Sequence, residues 1–113
     1  MNTLKYSLEY QCYPIWNYDP SGVLVENDLP DELKGDQELC SLLLRVQDIF
    51  DSLYVNTPLE FSDHGFHSEE ELNEFVAMLL QSAEILRSRY GKKYIIDCRY
   101  TRDSFGAFQD LRG

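Results

Sequence analysis

The residues that could carry out chemistry centre on Asp63-His64-Gly65-Phe66-His67 and the acids around it. Two imidazoles three positions apart, with Asp63 before them and Glu70 or Glu71 after, are the donor types of a zinc or transition-metal site. Their setting argues against one. The histidines fall in a loop rather than on one helix face, and the chain has no HExxH and no cysteine pair. Ser68-Glu69-Glu70-Glu71 reads as a capping box, which gives Glu71 a structural role. Nucleophilic and phosphate-binding patterns are missing too: there is no GxSxG, GxxxxGK[ST] or GxGxxG. Carboxylates are so abundant that no pair is singled out as an acid and base. The reading is a protein without enzymatic activity, cofactor or metal; a small enzyme or metal-binding domain is the weakest alternative.

What the chain does offer is charge and aromatic surface. It carries 20 Asp and Glu against 10 Lys and Arg, for a net charge of −10. Residues 17–74 hold 15 acids and only two bases, Lys34 and Arg45. Residues 89–102 reverse the balance, with Arg89, Lys92, Lys93, Arg99 and Arg102 against Asp97. So acidic a molecule repels nucleic acid and anionic membranes and attracts basic partners. The basic stretch is read as capping a helix and pairing with acids on neighbouring strands. Trp16, the single tryptophan, and Tyr18 stand in the acidic region, and such rings are favoured at interface hot spots. The candidate partner-facing set is Trp16, Tyr18, Asp19, Glu26, Asp28, Asp48, Asp51, Glu60 and Asp63. Core packing is the competing reading of Trp16, and an ordinary solvated helix face that of Asp48 and Asp51.

These residues need elements to position them. Leu4, Tyr6, Leu8, Tyr10 and Cys12 alternate with polar residues, predicting a strand over 4–12. Apolar character continues through Trp16 to Tyr18. Asp19-Pro20-Ser21-Gly22 is a turn, and Val23-Leu24-Val25 a short returning strand. Asp28 is placed to cap a short helical turn near Pro30, and Asp36 to cap a helix. Leu39, Leu42, Leu43, Val46, Ile49, Phe50 and Leu53 follow at offsets of three and four, an amphipathic helix of roughly five turns ending near Tyr54. Asn56-Thr57-Pro58 breaks it, and Leu59 and Phe61 suggest a short strand. A second amphipathic helix spans Leu72 to Leu86, closed near Gly91 with bases at its end. Tyr94, Ile96, Cys98 and Tyr100 alternate as a final strand. The predicted fold is α+β: a small, mostly antiparallel sheet of about four strands with two long helices packed on one face.

Residues 1–113 read as one domain, with 103–113 a flexible tail. Hydrophobic content of 43% supports a folded core. No apolar run approaches the roughly 20 residues of a membrane span, and the N-terminus lacks a secretory signal pattern, so the expected place is the cytoplasm. Cys12, Cys40 and Cys98 are read as reduced, buried thiols.

The segment YPIWNYDPSGVLVENDLPDELKGDQEL, a long helix and then GFHSEEELNEF resemble the small acidic immunity proteins of bacterial polymorphic-toxin systems, including contact-dependent growth inhibition. The resemblance covers most of the chain as an architecture and is sharpest over residues 13–33 and 65–75. It implies a protein that binds one cognate toxin C-terminal domain and neutralises it. Those toxins are often basic nucleases, which suits an acidic inhibitor acting as a monomer in a 1:1 complex. An acidic adaptor for some other basic protein is the alternative.

Overall fold

The structure, a computed structural model, describes residues 1–56 and 69–101, with the backbone alone at 53–56. Four strands, β1 (Thr3–Tyr6), β2 (Ile15–Tyr18), β3 (Leu24–Glu26) and β4 (Ile95–Cys98), form one sheet in the order β3-β2-β1-β4. Between β3 and β4 the chain makes a 3₁₀ turn (Asp31–Leu33) and two helices, α1 (Gln37–Asn56) and α2 (Glu69–Tyr90). The architecture is α+β, as expected, but the sheet is mixed rather than mostly antiparallel. β1 pairs antiparallel with β2 and parallel with β4. Alternation identifies a strand but not the direction of its neighbour. Two intervening helices are the kind of crossover that a parallel pair requires.

The strand predicted over 4–12 stops at Tyr6. A turn follows, in which the Cys12 N–H donates to the Glu9 carbonyl at 3.1 Å and Gln11 takes φ 60°. The chain then returns as β2, so the second half of the predicted strand is the turn of a hairpin between β1 and β2. Tyr10 is therefore exposed, and Cys12 half-buried. The Asp19–Gly22 turn falls where predicted and joins β2 to β3, with Gly22 at φ 85°.

Leu4, Tyr6 and Ile15 face the helices and are buried with Leu39, Leu43 and Val46 of α1 and Phe75, Leu79 and Leu86 of α2. Ser82 is buried among them. Its hydroxyl donates to the Leu79 carbonyl at 2.7 Å, so the Tyr6 hydroxyl donates to Ser82 Oγ at 2.8 Å. That bond ties α2 to the middle of the sheet without leaving a polar group unpaired.

Asp36 caps α1, accepting from the Leu39 N–H at 3.1 Å. It also accepts from Arg89 at 3.0 Å and from the Tyr90 hydroxyl at 2.6 Å, joining the start of α1 to the end of α2. Asp28 does not cap the 3₁₀ turn. That turn starts behind Pro30 without a side-chain cap, and Asp28 Oδ1 bonds the adjacent Leu29 N–H instead. Gly91 closes α2, as predicted, but for steric reasons. A Cβ there would lie 2.4 Å from the Arg87 carbonyl oxygen, whereas its φ is not positive. The three thiols are free and half-buried rather than buried. Ser68 of the capping box, the strand at Leu59 and Phe61, and residues 103–113 lie outside the described residues.

Candidate functional site

The helices cover one face of the sheet; the other face is bare among the described residues. Period-two alternation decides what it shows. On β2, Ile15 and Asn17 turn toward the core, so Trp16 and Tyr18 turn outward, both half-buried. Strand register builds rows across all four strands. One row runs Leu24–Tyr18–Thr3–Ile95, with Leu24 and Ile95 44% and 52% exposed at its ends. The next runs Trp16–Lys5–Asp97. A depression of about 220 Å³ opens here, lined by Lys5, Ser7, Glu9, Trp16 and Tyr18. The Trp16 indole N–H donates to the Ser7 carbonyl at 3.0 Å, which holds the ring in place along the wall.

The sequence-derived candidates are not one patch. Trp16 and Tyr18 stand together on the outer face. Asp48 is exposed on α1, in the helical layer on the opposite side. Asp19 is occupied within its turn, accepting from the Ser21 and Val23 N–H groups at 2.9 and 3.0 Å. Asp28 pairs with Lys34 at 3.3 Å, and Glu26 ends β3. Asp51 accepts from the Gln11 N–H at 2.8 Å and from Gln47 Nε2 at 2.7 Å. Gln47 Nε2 also donates to the Glu9 carbonyl at 3.1 Å. Asp51 thus fastens the β1–β2 turn to α1. Glu60 and Asp63, with His64 and His67, lie outside the described residues.

Lys5, Ser7, Glu9 and Tyr10 were missed as candidates. Tyr10, 41% exposed at the turn, carried a misleading signal, because the apolar alternation runs on past Tyr6 into the turn. Lys5 did carry a usable one: it falls on the polar face of a strand whose other face is core.

The basic stretch finds acids, although not mainly on strands. Arg89 bridges Asp36 and Glu38, and Lys93 lies 3.7 Å from Glu32 beside the 3₁₀ turn. Arg99, just past the end of β4, pairs with Asp97 of that strand. The Tyr90 phenol, held by the Asp36 carboxylate and partly desolvated, is pushed up to about 12. The same bond, with the Leu39 N–H and Arg89, holds Asp36 below the usual carboxylate range against the opposing effect of desolvation. These groups are structural. No group of three or more His, Cys, Asp or Glu is placed to hold a metal among the described residues.

An outward aromatic pair on a bare sheet, in a strongly acidic chain, suits the binding of another protein. The searches of curated proteins and of solved structures found no match. The family model described as Serratia CdiI immunity protein-like matches residues 2–101, from before β1 to beyond β4. The chain belongs to that family of immunity proteins of contact-dependent growth inhibition.

Proposed function

We propose that this protein binds the C-terminal domain of its cognate toxin in the cytoplasm, as a monomer in a 1:1 complex, and blocks a basic nuclease. Membership of the immunity family supports the general role of protection against a toxin. The outer sheet face, bare among the described residues, carries the surface assignment. Trp16 and Tyr18 form its centre; Glu26 and Asp48 supply acid at the end of β3 and on α1, and Glu60 and Asp63 add to the acidity of the chain. A nuclease site must be basic to hold phosphates, and carboxylates can occupy it in place of phosphate oxygens, which arginine binds bidentately. Steric cover of the substrate groove would act to the same end. No catalytic group of the inhibitor takes part.

The test is a pull-down from the source bacterium with this chain as bait, followed by nuclease assay of what is captured. A single basic toxin domain whose nuclease activity disappears on binding is the expected result. Trp16→Ala should weaken that complex by about 2 kcal/mol, roughly 30-fold in Kd, if the ring is a hot spot. A captured toxin that acts on something other than nucleic acid would remove the nuclease assignment and leave the immunity role.

A further inference from the structure

The two edges of the sheet are treated differently. β3 and β4 each have one side without a strand partner among the described residues. Natural sheets blunt such edges with charge or cover, because unpaired backbone invites another strand. β4 has both forms of protection. Arg87 Nη2 donates to the Cys98 carbonyl at 3.0 Å, and Asp97 and Arg99 pair across the strand's end. β3 (Leu24–Glu26) carries a charge only at its last residue, Glu26. Val23, Leu24 and Val25 are 60%, 44% and 52% exposed, with no charge between them. Leu24 is in register with Tyr18 and Glu26 with Asn17, so Val25 is the extra residue of a bulge and faces no partner on β2.

Charge separates the two occupants such an edge could take. A second copy would bring together two chains of −10 and set acidic strand ends near each other. Glu26 ends the strand and makes no ion pair among the described residues, and Asp19 and Asp28 flank it. A strand with an apolar centre and a flanking Lys or Arg opposite Glu26 satisfies the apolar run and the one of these acids that holds no partner, Asp19 being bonded within its turn and Asp28 paired with Lys34.

We propose that the free edge of β3 accepts an extended segment of the cognate toxin domain, with an apolar centre and a basic flank, adding a strand to the sheet. This rests on the toxin-binding reading given above. Main-chain hydrogen bonds would supply affinity, and the alternating side chains specificity. Because Leu24 shares a row with Tyr18, the added strand would also widen the outer aromatic face.

Hydrogen exchange tests this on the unaltered full chain, free and with the toxin domain recovered by pull-down. Amides of residues 23–26 should slow by about tenfold or more in the complex. Val25→Lys, which puts a charge into the exposed apolar run, should weaken binding by about tenfold while the circular dichroism spectrum stays the same. A toxin that is bound and neutralised with unchanged exchange at 23–26 overturns strand addition and leaves the immunity reading standing. A chain that captures no toxin overturns that reading, and this proposal with it. Dimerisation of the free chain with protection of the same amides would make a second copy the occupant and overturn the assignment to toxin.

Discussion

Gln11 sits in the left-handed region at φ 60°, which costs a non-glycine residue roughly 1 kcal/mol. Its N–H is satisfied by a carboxylate forty positions away on α1, Asp51. This turn was illegible in the sequence for that reason. Tyr10-Gln11-Cys12 contains no Gly, Pro, Asn or Asp, and the group that stabilises it comes from a different element. Asp51→Ala should therefore lower stability by about 1–3 kcal/mol in urea unfolding, through an unpaired Gln11 N–H and a freed Gln47. Gln11→Gly relieves the backbone and should change stability by between zero and about +1 kcal/mol in the same measurement. Asp48, one turn earlier and exposed, makes no side-chain hydrogen bond or ion pair among the described residues. Asp48→Lys is the cleaner charge reversal: it should leave the melting temperature unchanged and slow toxin association several-fold at low salt. An unaltered association rate would remove Asp48 from the partner-facing set.

Among the elements, the helices were the most legible. The three-and-four spacing of Leu39, Leu43 and Val46, and of Leu72, Phe75, Val76 and Leu79, is imposed by one long buried stripe per helix. Asp36 as N-cap was equally plain from its place before that stripe. Its second role was not, since Arg89 and Tyr90 reach it from the far end of α2. That junction has a pH signature. The folded carboxyl is held below its unfolded value of about 3.9, so its contribution is present above that value and is lost as pH falls through the folded pKa. Asp36→Asn should flatten the acid side of the stability–pH curve below about pH 4, with little change in the slope near pH 7. Asp36→Ala should cost about 1–2 kcal/mol at neutral pH from the lost cap. At the other end of the core, Tyr6→Phe removes one buried bond but leaves Ser82 bonded to Leu79. A loss of about 1 kcal/mol is expected.

For the whole molecule, charge was read directly from the sequence, but strand direction and the assembly of a binding face were not. Trp16 and Tyr18 are two apart on a strand, which places them on one side; that the side is the one away from the helices follows only from where both helices pack. With a net charge of −10, toxin association should slow steeply as salt rises from about 0.01 M to 0.15 M, because the screening length shrinks from roughly 30 Å to 8 Å. A salt-independent rate would argue for binding through the aromatic face alone. The parallel pairing of β1 with β4 also bears on synthesis. Thr3 and Ile95 are register partners, so β1 must wait on the ribosome with one side open while both helices are made. A cell that depends on this protein for self-protection is guarded only by finished chains, and a chaperone that shields the waiting strand would shorten the time from translation to protection.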